Sequence, residues 1–189
     1  VHLGWIDRNQ GLYVDAQNHL EESLSLARKI NDQTRIARAL TSLGWVDIKL
    51  GSYSTARKRL SDSVMLFRSL ESKFGLANAL LGSGIVARAF KEYAEAEAYF
   101  AEGLAIYREM GNRGGMANCF TGLGENARLQ TSYTTARSYY KAALELDREI
   151  GLDEVFVTRA AGLVALFFAA PGEDFFFFGS SIANFSRET

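Results

Sequence analysis

The chain repeats one pattern every forty residues without a gap. In each period a tyrosine is followed three residues later by an alanine, at Tyr13 and Ala16, Tyr53 and Ala56, Tyr93 and Ala96, and Tyr133 and Ala136. A glycine returns with the same period, at Gly4, Gly44, Gly84 and Gly124. Periods of this size are typical of solenoids, whose units bury their apolar faces only against neighbouring units. Such a fold leaves a long surface free, so the pattern predicts binding of a partner without identifying it.

Each period is expected to contain two helices, which makes the fold all-α. Apolar residues recur at intervals of three and four, as on one face of a helix. Breaks fall twice per period, near Gly11, Gly51, Lys91 and Thr131, and again near Asn31, Glu71, Gly111 and Gly151. After the second set of breaks, side-chain oxygens are available to cap the next helix, from Asp32, Ser72 and Asn112. The predicted helices are 1–10, which is truncated, 13–30, 33–50, 53–70, 73–90, 93–110, 113–130, 133–150 and 153–169.

Small residues recur where neighbouring helices meet. Ala56 and its equivalents are followed one or two turns later by Ser23, Ser63, Gly103 and Ala143. A larger side chain at these positions would push the helices apart, at a cost of about 1–3 kcal/mol. The segments "GSGIVA" at 82–87 and "GLGENA" at 122–127 have the spacing of a dinucleotide-binding fingerprint. Because neither follows a strand and both lie at one phase of the repeat, we interpret their glycines as packing residues.

Composition limits the classes of partner and of chemistry. The 189 residues carry a formal charge of −1, which argues against a general nucleic-acid binder. With Cys119 alone no intramolecular disulfide forms, so a cytoplasmic location is expected, and the start at Val1 suggests an excised fragment. The break at Pro171 leaves too short an apolar run for a membrane span.

Catalytic residues are not indicated. The two histidines, His2 and His19, lie far from one another and from the cysteine, so we propose no metal site. Cys119 shares the register of Ala39 and Ala79, which favours a small buried side chain over a nucleophile. We therefore expect a protein that is not an enzyme and that needs no cofactor.

Three segments of the chain resemble tetratricopeptide repeats. They are "SLGWVDIKLGSYSTARKRLSDSVMLFRSL", "GSGIVARAFKEYAEAEAYFAEGLAIYREMGN" and "GLGENARLQTSYTTARSYYKAALELDREIG". The resemblance covers residues 1–170 as about four repeats, the first truncated, plus the first helix of a fifth. Forty-residue units with a connector such as "EMGNRGGMANCFTGLG" are similar to those of bacterial LuxR- and AfsR-type regulators. Similar units occur in animal polarity adaptors and kinesin light chains. The resemblance implies a right-handed α-solenoid in which the first helix of each unit lines a concave groove.

The groove positions of that family map onto one face of each first helix. The resulting candidates are Trp5, Arg8, Arg38, Trp45, Lys49, Asn78, Ile85, Arg88, Asn118, Thr121, Glu125 and Arg128, with Asn9, Thr41, Ile48, Leu81, Ala89 and Leu129 beside them. Arginine occupies three of four equivalent positions, at Arg8, Arg88 and Arg128, and guanidinium groups suit carboxylates. The asparagines suit the backbone of an extended peptide, and Trp5, Trp45 and Ile85 form an apolar strip. The implied ligand is an acidic and partly apolar protein or peptide.

Two ordinary structural interpretations stand beside this one. Arg88 is placed to pair with Glu92 one turn later, and Arg128 with Glu125, as solvated ion pairs on a helix surface. The two tryptophans are equally consistent with packing between repeats.

The repeat pattern ends near Pro171. Eight of the thirteen phenylalanines follow residue 154, and residues 171–189 lack the Tyr-x-x-Ala helix. We interpret this segment as a degenerate C-terminal cap, or as a surface for docking on another subunit or domain through residues 155–189. The chain as a whole is expected to be a binding scaffold, the sensing or docking arm of a larger bacterial regulator. The alternative is a self-association module that uses its apolar C-terminal end.

Overall fold

The protein is a stack of antiparallel helices. The structure is a computed structural model, which describes the backbone of residues 2–151 and the side chains of residues 12–151. This part of the chain holds no strand and seven helices: α1 (His2–Lys29), α2 (Gln33–Lys49), α3 (Tyr53–Ser69), α4 (Lys73–Ala89), α5 (Tyr93–Glu109), α6 (Arg113–Leu129) and α7 (Tyr133–Glu149). The predicted helix at 153–169, the cap at 171–189 and the association surface at 155–189 lie outside the described residues.

The helices are arranged in two rows. Each helix packs on the next one along the chain, and in addition α2 contacts α4 and α4 contacts α6. Within residues 2–151, α1, α3, α5 and α7 contact one another less than α2, α4 and α6 do. The first helices of the units, α2, α4 and α6, therefore approach one another more closely and form the inner, concave row. This arrangement confirms the predicted all-α solenoid.

The helix ends follow the repeat. The residues at the predicted breaks adopt positive φ at Asn31, Gly51, Glu71, Lys91, Gly111, Thr131 and Gly151. At the end of α2, the N–H of Ser52 donates to the carbonyl of Asp47 at 2.8 Å, which satisfies a carbonyl of the last turn. The side chains of Asp32 and Asn112 cap the next helices as predicted. The prediction for Ser72 is wrong, because its side chain makes no capping hydrogen bond.

The predicted break near Gly11 is also wrong. Helix α1 runs from His2 to Lys29 through this glycine, so the predicted helices 1–10 and 13–30 are one helix. The sequence offers a physical reason at the position that follows each equivalent break. This position holds Ser52 in one later unit and Leu12 here. Leucine has a high helix propensity, which favours continuation of the helix through this point.

Glycines let the helices approach around large side chains. A Cβ at Gly44 would lie 2.6 Å from Leu60, and one at Gly82, in the next unit, would lie 3.1 Å from it. Phe100 is confined in the same way, because a Cβ at Gly84 or at Gly122 would lie 2.6 Å from its ring. The interpretation of these residues as packing glycines is confirmed.

The small residues predicted at helix contacts are buried. Ala56, Ala96 and Ala136 have no exposed surface, and Ser63 and Ala143 have none either. Ala16 is only half-buried and Ser23 is exposed, so the prediction of Ser23 at a close helix contact is wrong. Both residues lie on α1, which begins the array and has no earlier described helix to pack against.

Candidate binding groove

The basic candidates on α2 are open to solvent. Arg38 and Lys49 are exposed, while Trp45 is half-buried between them in sequence. The indole Cε2 of Trp45 lies 3.6 Å from the position that a Cβ on Gly82 would take, so the ring packs over the first helix of the next unit. Trp45 therefore packs between repeats and also presents part of its surface, which leaves both sequence interpretations of this residue open.

The candidates on α4 are tied more closely to the core. Ile85 is half-buried against the central apolar cluster, which includes Phe100. The guanidinium group of Arg88 donates to the carbonyl of Gly122 on α6 at 3.3 Å and lies 5.8 Å from the centre of the Phe100 ring. Burial is the main cause that lowers the pKa of Arg88, and the nearby Glu125 opposes it. Arg88 thus joins α4 to α6 from its place in the inner row.

Glu125 is the centre of a polar cluster on α6. Its carboxylate accepts hydrogen bonds from Arg128, at 3.1 Å from Nε and 2.9 Å from Nη2, and from the hydroxyl of Tyr140 on α7. Burial alone would raise the pKa of Glu125, but the hydrogen bonds from Tyr140 and Arg128, together with the positive charges of Arg128 and Arg88, lower it. The carboxylate is therefore held in its charged form.

One of the two alternative ion pairs is present. Arg128 pairs with Glu125, as the surface-pair interpretation predicted. Arg88 does not pair with Glu92, since the carboxylate of Glu92 accepts from Arg57 on α3. The sequence did not single out Tyr140. Its only signal was a hydroxyl at the register of Leu60 and Phe100, because a buried tyrosine needs a partner for that group.

Two of the projected groove residues point into the core instead of the groove. Thr41 and Leu81 are buried, with 4% and 6% of their surface exposed, so their prediction as groove residues is wrong. The hydroxyl of Thr41 lies 2.6 Å from that of Ser63 on α3, which shows that this phase faces the second helix of the unit. At the same phase, Thr121 is half-buried and donates to the carbonyl of Ala117 at 2.9 Å. At this phase of the repeat, Thr41 and Leu81 therefore belong to the core of their units.

The remaining candidates leave the inner row basic. Among the described positions of the predicted site, four side chains are basic, Arg38, Lys49, Arg88 and Arg128, and Glu125 alone is acidic, which gives 4 − 1 = +3. Asn78 is half-buried and Asn118 is exposed. The side chains of Trp5, Arg8 and Asn9 lie outside the described residues.

The thiol of Cys119 lies in the core. Cys119 is fully buried, and burial raises its pKa to about 12, so its prediction as a small core residue is confirmed. Across the described side chains there is no group of three or more residues able to hold a metal ion. None of the helices formed by residues 2–151 is long and apolar enough to cross a membrane.

A family model matches part of the helix array. Residues 75–149, from the first turn of α4 to the end of α7, match the family model of the tetratricopeptide repeat. No protein of curated function matches the sequence.

Solved structures share the fold at low sequence identity. BtubC (BKLC) from P. vanneervenii is similar with a TM-score of 0.74 and 14% identity, over 86% of this chain and 68% of that one. A Rap protein in complex with Competence and Sporulation Factor is similar with a TM-score of 0.76 and 14% identity, over 87% of this chain. The chain spans 46% of the length of the Rap protein. These likenesses establish the solenoid fold.

Proposed function

We propose that the protein is a non-catalytic scaffold that captures an acidic, partly apolar peptide or protein segment on its inner row of helices. The observation that carries this proposal is the surplus of basic side chains at the described candidate positions on α2, α4 and α6, four against one, beside the half-buried Trp45 and Ile85. Guanidinium groups bind carboxylates with two parallel hydrogen bonds, and large apolar side chains supply most of the binding energy of such contacts.

The basic side chains at the two ends of the groove differ in exposure and in hydrogen bonding. On α2, Arg38 and Lys49 are exposed and meet a ligand without rearrangement. On α6, Arg128 is already hydrogen-bonded to Glu125. A ligand carboxylate that approaches Arg128 therefore competes with the carboxylate of Glu125. Glu125 thus limits affinity for acidic ligands at this end of the groove.

We further propose that the scaffold serves as the sensing or docking arm of a larger bacterial regulatory protein in the cytoplasm. The support is the repeat length and connector, which resemble those of bacterial regulators, and the fold shared with the Rap protein that was solved with Competence and Sporulation Factor. Fold likeness sets the expectation for such a role, whereas the charged inner row supplies the specific chemistry.

The first test is a selection from a random dodecapeptide library against the purified protein. We expect the selected peptides to be enriched in aspartate and glutamate beside a large apolar residue. Their affinity should fall at least tenfold in the double variant Arg38→Ala/Lys49→Ala, because two cations that would bind the peptide carboxylates are removed. Both side chains are exposed, so the variant should keep its fold. Affinity should also fall as salt is raised, since exposed charges are screened.

A matched control separates groove contacts from net charge. Lys58→Ala/Arg108→Ala removes one lysine and one arginine from exposed positions on α3 and α5, outside the inner row. This variant should bind the selected peptides as the unaltered protein does, and Glu125→Gln should bind them more tightly. Equal losses in the two double variants, or a selection of basic peptides, would contradict the proposal.

A further inference from the structure

A cleft opens on the outer side of the array, away from the inner row. It has a volume of about 280 Å³ and lies between the second helices α3 and α5, over α4. Its floor includes Val86 and Ala87, which are almost fully buried, and α3 contributes Val64 and Met65. Met65 is 60% exposed, so it lies at the rim. A cleft of this size is smaller than most sites for drug-sized molecules but is large enough for one side chain.

The equivalent cleft one repeat earlier is filled by the chain itself. There Arg59, on α3, extends to the buried Asp47 on α2, with Nη1 at 3.1 Å and 3.0 Å from the two carboxylate oxygens. The same guanidinium group also pairs with Glu21 on α1. The side chain of Arg59 thus spans all three helices of that junction, and only 17% of it is exposed.

A shift of forty residues removes this filling. Glu21, Asp47 and Arg59 become Ser61, Ala87 and Tyr99, and all three of these residues line the cleft. The arginine and both of its carboxylate partners are absent at this junction. In the following junction the equivalent Tyr139 packs against Phe120, with ring centres 6.2 Å apart. The cleft is therefore the space that the arginine and its partners fill in the first junction.

The charges at the rim already have partners. Arg57 pairs with Glu92 and lies over the ring of Phe90 at 4.1 Å. Arg68 donates to both carboxylate oxygens of Glu102 at 2.8 Å. Glu95 also lines the cleft and accepts a hydrogen bond from the hydroxyl of Tyr99 at 3.0 Å. A charged group that passed these rim residues would lose water at the floor, where Ala87 replaces the aspartate and lies beside Val64 and Val86. An apolar group would instead complete the contacts of the floor.

We propose that this cleft is a second binding site, which receives one large apolar side chain, such as leucine, methionine or phenylalanine, from a partner polypeptide. Met65 closes over the guest from the rim, because a methionine side chain adapts to the shape of its neighbour. The rim ion pairs lie on either side of the partner's backbone. The site is separate from the concave groove, so a partner engages it independently of a groove ligand.

Blocked amino acids serve as probes of the site. We would titrate isotopically labelled protein with N-acetyl-leucinamide and N-acetyl-phenylalaninamide and follow the backbone amide resonances, with N-acetyl-asparaginamide as the polar control. Saturable shifts of the amides of Ser61, Met65, Ala87 and Tyr99 are expected with the two apolar probes and not with the asparagine probe. Equal shifts with all three probes, or none at these residues, would overturn the proposal.

Two variants test the site itself. The triple variant Ser61→Glu/Ala87→Asp/Tyr99→Arg places the ion-pair set of the first junction in the cleft and should abolish the shifts. Met65→Lys changes only an exposed side chain, so it keeps the fold, and it should weaken binding at least threefold. Unchanged binding in a folded triple variant or in Met65→Lys would refute the assignment.

Two further comparisons distinguish the cleft from the concave groove and from a small-molecule site. Arg38→Ala/Lys49→Ala should leave the shifts intact, whereas their loss would place the probes in the concave groove and overturn the proposal. If free leucine bound and its blocked form did not, the cleft would be a site for a zwitterionic small molecule and the proposal would be wrong.

Discussion

Replacement of Gly122 by alanine should separate overpacking from helix propensity. A Cβ at this position would lie 2.6–2.8 Å from three carbon atoms of the Phe100 ring. The ring has little room to retreat, because Gly84 borders the same three atoms: a Cβ there would lie 2.6–2.9 Å from them. Overpacking of this kind costs about 3 kcal/mol at the upper end of its range. Alanine gains about 1 kcal/mol over glycine in a helix, so the net loss of unfolding free energy is about 2 kcal/mol.

Gly114→Ala is the matched control in the same helix. The nearest atoms to its added Cβ are 3.8 Å away, at Asn112 and Ile150, which is ordinary contact. This variant should be as stable as the unaltered protein or up to about 1 kcal/mol more stable, because only the propensity gain applies. Urea unfolding followed by circular dichroism at 222 nm measures both effects.

A rescue variant tests the cause of the loss. Leu60 is the equivalent of Phe100 in the preceding unit, and a Cβ on Gly82, the glycine of the next unit, would lie 3.1 Å from it. Phe100→Leu should therefore restore part of the stability lost in Gly122→Ala. If Gly122→Ala alone were as stable as the unaltered protein, the account of helix spacing given by these glycines would be refuted.

Two further predictions concern buried groups. Because burial raises the pKa of Cys119 to about 12, its thiol should not react with an aromatic disulfide reagent at pH 8 in the folded protein and should react in urea; rapid reaction of the folded protein would show that the residue is accessible. Arg59→Met should destabilise the protein by about 3–5 kcal/mol in urea unfolding, because it leaves the buried Asp47 without its cation, and Asp47→Leu/Arg59→Met should recover most of that loss; equal stability of the single variant and the unaltered protein would contradict a structural role for the pair.

The helix boundaries were predictable because the same signals return in every unit. The predicted helix 73–90 is observed as Lys73–Ala89, and the break that follows has positive φ at Lys91. A single asparagine or glycine is a weak signal, but its return every forty residues fixes the phase of all later helices. The failure at Gly11 has the same origin, since the period predicts a break there and only the local Leu12 opposes it.

The sequence indicates which helix holds each candidate residue but not which groups it contacts. Repeat phase placed Arg88 and Arg128 on the inner row, but it gave no information on which oxygen each guanidinium group meets. The bond from Arg88 to the carbonyl of Gly122 joins residues 34 positions apart, and the bond from Tyr140 to Glu125 depends on the crossing of α6 and α7. Such contacts arise from helix packing, which a periodic pattern does not encode.

The outer cleft shows a further limit of repeat-based prediction. Comparison of Glu21, Asp47 and Arg59 with Ser61, Ala87 and Tyr99 explains the cleft once the ion-pair set is seen in three dimensions. In the sequence these residues are 26 and 12 positions apart and belong to three helices. No single segment of the sequence therefore shows that all three residues of the ion-pair set are replaced one repeat later.

Hydrogen exchange on binding tests the central claim most directly. The protein would be saturated with an acidic peptide from the library selection, and amide exchange would be compared with that of the free protein. Increased protection confined to α2, α4 and α6, and reduced in Arg38→Ala/Lys49→Ala, is the result that capture on the inner row predicts. Protection confined to α3, α5 and α7, or unchanged in that variant, would contradict it.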